Sequence, residues 1–147
     1  MYRRRGATLE VLLVHPGGPL WRNKDEGAWS IPKGEVGEGE DLLDAAKREF
    51  QEETGFTPTG QFMPLKPVKQ KSGKVVHAWM VEGDLDTASI SSNSFTMEWP
   101  PKSGKLAEFP EVDRAEFFDL ETAKKKINPA QAAFVTELRQ ICAADQP

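Results

Sequence analysis

The feature that most constrains this chain is a glycine-rich turn that leads directly into a short acidic helix, within residues 34–56. Glu49, Glu52 and Glu53 stand at positions i, i+3 and i+4, so a helix presents all three carboxylates on one face. Acids near the C-terminal end of a helix are each unfavourable by roughly 0.3–1 kcal/mol unless a cation compensates for them. Oxygen ligands without histidine or thiolate suit Mg²⁺, Mn²⁺ or Ca²⁺ better than zinc. The segment therefore predicts a divalent-metal site.

Both ends of this helix, predicted over roughly residues 41–54, are specified by the sequence. Asp41, with Asp44 three residues later, is typical of a helix start, and Gly55 suits the left-handed position that ends a helix. An apolar stripe beside the acidic face predicts packing against a core. The stripe consists of Leu43, Ala46 and Phe50.

The rest of the chain alternates short apolar runs with turn residues, a pattern typical of a mixed sheet with few helices. Extended segments are predicted at residues 7–15, 28–32, 61–69, 74–82, 94–99 and 115–118. The segments at 61–69 and 74–82 are expected to form a hairpin, and residues 83–105 to be mostly a long loop. A last helix is predicted from Asn128-Pro129 to about Cys142. Its inward-facing residues are predicted to be Ala133, Val135 and Leu138.

Composition bounds the class of protein. A chain of 147 residues suffices for one hydrophobic core, so residues 1–147 are expected to form a single domain. The net charge of −4 disfavours a general polyanion-binding surface, so no DNA partner is expected and RNA ends are disfavoured as substrates. Cys142 is the only cysteine, which fits a reducing compartment. With no long apolar segment, the expected location is the cytoplasm and not a membrane.

The spacing of the fixed residues in the acidic segment resembles the Nudix box. It runs Gly34, five residues, Glu40, seven residues, Arg48-Glu49-Phe50, one residue, Glu52-Glu53, one residue, Gly55-Phe56. Because nine positions match within 23 residues, the pattern is far more specific than a lone glycine-rich motif. The resemblance implies an α/β fold in which a mixed sheet lies between helices, an α/β/α sandwich. It also implies hydrolysis of a nucleoside diphosphate linked to another moiety, with Mg²⁺ or Mn²⁺ as the cofactor.

Carried onto this sequence, the resemblance assigns roles within the box. The metal ligands that it implies are the Gly34 carbonyl, Glu49, Glu52 and Glu53. Glu52 and Glu53 are also candidates for the base that takes a proton from the attacking water. Arg48 is implied to hold a box carboxylate in place through a charge-assisted pair, and Glu40 to tie down its own loop.

Members of the family often carry a further acid on the loop before the last strand, six residues before an aromatic side chain. Glu111 and Phe117 have this spacing. The resemblance therefore makes Glu111 a candidate fourth metal ligand or general base, with Glu108 and Glu98 as alternatives.

Residues at the entry to the box indicate the substrate, a small nucleotide. Pro32-Lys33-Gly34 resembles the entry of diadenosine tetraphosphate and diphosphoinositol phosphate hydrolases, so Lys33 is a candidate phosphate contact, with a solvated lysine as the alternative. Trp29 is a candidate platform for a base, with a packing role as the alternative. The leading substrate is a dinucleoside polyphosphate such as diadenosine tetraphosphate. The alternatives are a (d)NTP, ADP-ribose, a diphosphoinositol phosphate, or binding without turnover in a nucleotide sensor.

The N-terminal edge of the predicted sheet differs from the family pattern. Members usually have a little more chain before the first strand than the residues that precede it here. The opening edge is therefore expected to be short or to be completed by a partner chain, which makes a homodimer an alternative to the monomer.

Overall fold

The computed structural model describes residues 1–144, so residues 145–147 of the predicted domain lie outside the described residues. The strands are β1 (Tyr2–Arg5), β2 (Thr8–Pro16), β3 (Met63–Pro64), β4 (Val68–Lys69), β5 (Val75–Val76), β6 (Trp79–Met80), β7 (Ser94–Glu98), β8 (Leu106–Pro110) and β9 (Val112–Asp119). The α-helices are α1 (Leu42–Thr54), α2 (Leu120–Lys126) and α3 (Ala132–Ala144). Short 3₁₀ turns occupy Thr87–Ser89 and Pro129–Gln131.

An antiparallel sheet of three strands, in the order β1-β2-β9, has its central strand buried on both faces. Successive side chains of a strand point to opposite faces of the sheet. Leu12 accordingly joins a buried cluster with Phe50 of α1. Leu13 joins a second cluster with Leu120 of α2 and Leu138 of α3. Helices therefore cover both faces of the sheet, which confirms the predicted α/β/α arrangement.

Both predicted ends of α1 are confirmed. The Asp41 carboxylate accepts the N–H groups of Leu43 at 3.1 Å and Asp44 at 3.2 Å, which satisfies two donors of the first turn. Gly55 has a φ of 82°, a conformation that costs glycine little, and its N–H donates to the Gln51 carbonyl.

The predicted apolar stripe of α1 is only partly right. Phe50 is buried, but Leu43 and Ala46 are half-buried, and Ala45 takes a buried position instead. This side of α1 borders a cavity, described below, as well as the sheet.

The predicted hairpin at 61–69 and 74–82 is present but broken into two short ladders, β3 with β6 and β4 with β5. Pro64 and Pro67 remove two N–H donors from the first segment, which prevents a continuous ladder. The predicted strand near residues 94–99 is present as β7. It pairs with β8, a strand that the sequence pattern missed.

The inward face of α3 is partly corrected. Val135 and Leu138 are buried as predicted, but Ala133 is exposed and Phe134 is buried in its place. Ala133 lies two residues before Val135, about 200° around a helix, so the two side chains cannot share one face.

The opening edge of the sheet is the four-residue strand β1. The Tyr2 N–H donates to the Val81 carbonyl, and the Tyr2 carbonyl accepts the Gly83 N–H, so residues 81–83 cover part of that edge. A homodimer stays a prediction. Within residues 1–144, no helix is both long and apolar enough to cross a membrane.

Candidate active site

Arg48 joins the carboxylates of the acidic segment to one another. Its Nε and Nη2 donate to the two Glu40 oxygens at 2.8 and 3.0 Å, a bidentate pair. Its Nη1 donates to Glu49 at 2.8 Å and to Glu52 at 3.0 Å. Glu40 also accepts the Gly37 N–H at 2.8 Å, and the Arg48 guanidinium beside it lowers the pKa of Glu40 to about 2. The glycine-rich loop is thereby fastened to the helix.

Gly34 lies directly against the Glu49 carboxylate. A Cβ atom at this position would lie 1.9 Å from the carboxyl carbon of Glu49. Glycine permits this approach because it has no side chain. The loop backbone and the Glu49 carboxylate thus form one edge of the site.

Glu53 is the most enclosed carboxylate of the segment, at 9% exposure. Its Oε1 accepts the Lys33 N–H at 3.2 Å. Burial raises the pKa of Glu53 to about 7, and the charges of Glu49 and Glu111 act in the same direction. A carboxyl group with such a pKa can exchange a proton near neutral pH.

Glu111 lies in the turn between β8 and β9, on the side of the acidic helix. Burial, and then the charges of Glu49 and Glu52, raise the pKa of Glu111. The alternative Glu98 instead accepts the Lys102 N–H at 2.6 Å, near the turn of the β7–β8 hairpin. The alternative Glu108 is exposed on β8, opposite Thr96.

A cavity of ≈ 550 Å³ adjoins the entry to the acidic segment. Its volume lies within the roughly 300–1,000 Å³ of typical ligand sites. Its walls come from the entry segment, α1, the broken hairpin and α3, and they include Ile31, Lys33, Leu42, Phe62, Trp79 and Phe134.

A family model of the NUDIX domain matches residues 1–138, nearly the whole chain. The chain belongs to the Nudix hydrolase family. Residues 34–56 are therefore its Nudix box, and the Arg48 network, the Gly34 contact and the buried Glu53 are features of that box. Nudix hydrolases generally use divalent metal cations.

Curated relatives match a shorter stretch. The RNA pyrophosphohydrolases of two strains of Caulobacter vibrioides are 48% identical over 52 residues, which is 32% of this chain and 30% of each relative. The match thus spans less than a third of the length of these relatives.

Solved structures with the same fold match along nearly the whole chain. An Ap4A hydrolase binary complex from C. elegans is 21% identical with a TM-score of 0.66, over 97% of this chain and 94% of that one. The NUDIX domain of Shewanella oneidensis NrtR, complexed with ADP ribose, is 16% identical with a TM-score of 0.64. The match covers 96% of this chain and 82% of that one. At these identities the likeness establishes the fold.

The Nudix box has the donors for a hard divalent cation, although its side chains are not gathered around one point. Among residues 1–144, no three acidic, histidine or cysteine side chains converge closely enough to hold a metal ion as they stand. Glu49 and Glu52 are turned towards Arg48, and Glu53 accepts the Lys33 N–H. The donor set still fits, because it offers oxygen alone and because its carboxylates repel one another, which a cation relieves.

The two predicted substrate contacts lie in different environments. Lys33 is exposed where the cavity meets the Nudix box. Trp29 is 1% exposed, its indole N–H donates to Asp25 at 2.8 Å, and its ring packs edge-on against His15 and Phe118. The prediction of Trp29 as a base platform is wrong, because the ring is enclosed in the core.

Sequence reasoning missed the segment 91–93, which bonds both α1 and the Glu111 turn. Ser91-Ser92-Asn93 looks like an ordinary loop in the sequence. The signal that could have found it is its composition, because serine and asparagine side chains readily bond nearby backbone groups.

Proposed function

We propose that this chain is a pyrophosphohydrolase that depends on Mg²⁺ or Mn²⁺ and cleaves a phosphoanhydride bond of a nucleoside diphosphate linked to another moiety. The observation that carries the proposal is the meeting of Gly34 with the Glu49 carboxylate, beside Glu53 and next to the cavity. A phosphate chain that enters from the cavity reaches these carboxylates past Lys33.

Different residues of the Nudix box would bind the cation, orient its ligands and accept a proton. Glu49, Glu52, Glu53 and the Gly34 carbonyl would hold the cation, which when bound neutralises phosphate charge and makes water more acidic. Arg48 orients Glu49 and Glu52 through its Nη1. For the base that receives the proton of the attacking water, the candidates are Glu52, Glu53 and Glu111. The raised pKa of Glu53 fits proton exchange near neutral pH before a cation binds.

The cavity supports a substrate that has both an apolar, flat part and an anionic part. Phe62 and Trp79, which are half-buried, suit a nucleobase, whereas Lys33 suits a phosphate. A diphosphoinositol phosphate lacks the apolar part. We therefore keep a dinucleoside polyphosphate such as diadenosine tetraphosphate as the leading substrate, which is also the class named for the C. elegans relative of the same fold. Nucleoside triphosphates and ADP-ribose are the next candidates, and a cytoplasmic location completes the proposal.

Triphosphorylated RNA ends form a second candidate substrate. The 52-residue match to RNA pyrophosphohydrolases favours them. The net charge of −4 opposes them, because a protein that tracks an RNA backbone benefits from basic residues.

The test is a product assay across a substrate panel, with Mg²⁺ and with Mn²⁺. The panel holds diadenosine tetraphosphate, a nucleoside triphosphate, ADP-ribose, a diphosphoinositol phosphate and a 5′-triphosphorylated RNA oligonucleotide. We expect the dinucleoside polyphosphate to give the highest kcat/KM, and EDTA to abolish turnover.

Glu52→Gln serves as the matched inactive variant. It should lose most turnover and keep the wild-type melting temperature, because a partly exposed isostere changes little packing. Tight nucleotide binding without turnover of any panel member would instead identify a sensor. The highest kcat/KM for the RNA oligonucleotide would favour the second candidate.

A further inference from the structure

Residues 91–93 form a strap between the end of α1 and the Glu111 turn. The Ser91 N–H donates to the Thr54 carbonyl at 2.9 Å, and the Asn93 N–H donates to the Glu52 carbonyl at 2.7 Å. The last turn of a helix has no donors of its own for such carbonyls. The Asn93 carbonyl in turn accepts the Glu111 N–H at 2.8 Å. Asn93 therefore bonds the backbones of Glu52 and Glu111 at once.

The hydroxyl group of Ser92 completes this connection. Its Oγ accepts the Val112 N–H at 3.0 Å and donates to the Asn93 carbonyl at 2.6 Å. Two successive N–H groups, those of Glu111 and Val112, are thus held by the strap. On the other side, the Glu111 carbonyl accepts the Gly17 N–H at 2.9 Å. The backbone around Glu111 is fixed from both directions.

The strap counteracts electrostatic repulsion between Glu111 and the carboxylates of the Nudix box. Glu111 is close enough to Glu49 and Glu52 for their negative charges to act on it. Like charges repel, so an unrestrained turn would move Glu111 away from the box. The strap is itself anchored, because Leu85 and Ile90, just before it, pack into the same apolar cluster as Phe50.

We propose that Ser92 is a positioning residue that fixes Glu111 opposite the carboxylates of the Nudix box. It acts through the backbone on either side of Glu111 and does not itself meet the substrate. This inference rests on the proposed function, since it gives Glu111 a part in holding the cation or in activating water.

The test compares three serine variants. Ser92→Ala removes the hydroxyl group, and Ser92→Thr keeps one. Ser89→Ala is the control, because Ser89 lies two residues before the strap. Its hydroxyl group donates to Asp86 at 2.7 Å and makes no hydrogen bond to α1 or to the Glu111 turn. The readouts are turnover, Mn²⁺ affinity by calorimetry, and hydrogen exchange of the Glu111 and Val112 amides.

We expect Ser92→Ala to lose turnover and Mn²⁺ affinity by on the order of tenfold, as outer partners of a metal site typically do. Both amides should exchange faster. Ser92→Thr should restore all three readouts, and Ser89→Ala should leave them unchanged. In a Glu111→Gln background, Ser92→Ala should cost nothing further, because its effect passes through the Glu111 side chain.

An equal loss of turnover in both backgrounds would overturn the proposal, as would faster amide exchange with wild-type turnover and Mn²⁺ affinity. Failure of the proposed function gives a different pattern. Wild-type protein would then turn over no panel member, while Mn²⁺ affinity and amide exchange would still decide whether Ser92 fixes Glu111.

Discussion

Replacing Gly34 by alanine tests the geometry of the site most directly. The new Cβ would lie 1.9 Å from the carboxyl carbon of Glu49, and 2.0 and 2.4 Å from its oxygens. Carbon atoms in contact stay about 3.5 Å apart, so the carboxylate has to move by at least ~1.5 Å. A movement of that size disturbs the hydrogen bond that Arg48 Nη1 now donates to this carboxylate at 2.8 Å.

We expect Gly34→Ala to lower turnover and to leave the free energy of unfolding nearly unchanged. Misplacing a catalytic group by about 1 Å can cost on the order of 10²-fold in rate, so we expect kcat/KM to fall by about that factor, or ~2.7 kcal/mol of transition-state stabilisation. The free energy of unfolding should change by less than about 1 kcal/mol. The φ of Gly34 lies outside the left-handed range, and the group displaced is the end of a flexible side chain.

The assay is steady-state turnover of the best panel substrate, alongside urea unfolding. Gly37→Ala is the matched control in the same loop. Its Cβ would meet Glu40 Oε1 at 3.2 Å, which a shift of a few tenths of an ångström relieves, so activity should stay near wild type.

A double-mutant cycle tests whether Gly34→Ala acts by displacing the Glu49 carboxylate. In a Glu49→Ala background there is no carboxylate to displace, so adding Gly34→Ala should cause no further loss. If Gly34→Ala costs the same in both backgrounds, or leaves wild-type activity, the close approach of Gly34 to Glu49 is not what the site requires.

Two further predictions concern stability. In EDTA, Glu53→Gln should be more stable than wild type by about 3 kcal/mol at pH 8.5 and equally stable near pH 4.5, as measured by urea unfolding. The folded pKa of Glu53 is raised from 4.5 to about 7, so its stabilising contribution is complete below pH 4.5 and is lost as the pH rises through 7, whereas glutamine does not titrate. Phe50→Ala should lower the free energy of unfolding by about 3–5 kcal/mol, because the ring is 7% exposed and packs in the cluster that contains Leu12.

The control for Phe50 is Gln51→Ala, an exposed neighbour that should stay within about 0.5 kcal/mol of wild type. Unchanged stability of Phe50→Ala would mean that the ring does not carry the contact between α1 and the sheet. A Glu53→Gln variant that is less stable than wild type at pH 8.5 would mean that the folded chain stabilises the charged carboxylate.

Local signals were enough to predict the acidic helix, and the resemblance of its spacing to the Nudix box indicated the family. The start at Asp41 and the end at Gly55 are set by bonds between residues close in sequence, and the shared face of Glu49, Glu52 and Glu53 follows from helical spacing. For the hairpin at 61–82 the same logic predicted the pairing but not its division into two short ladders, because backbone N–H groups and distant contacts decide how far a ladder extends.

What the sequence by itself determined is the identity of the acidic helix, because its caps and spacing need no partner from elsewhere in the chain. Only the tertiary structure decided that Trp29 is enclosed in the core and that Glu111 lies near enough to Glu49 and Glu52 for their charges to act on it. Both outcomes depend on residues far apart in sequence, such as Trp29 with Phe118 and Asn93 with Glu52. Contacts of that kind form when the whole chain packs, so no local pattern encodes them.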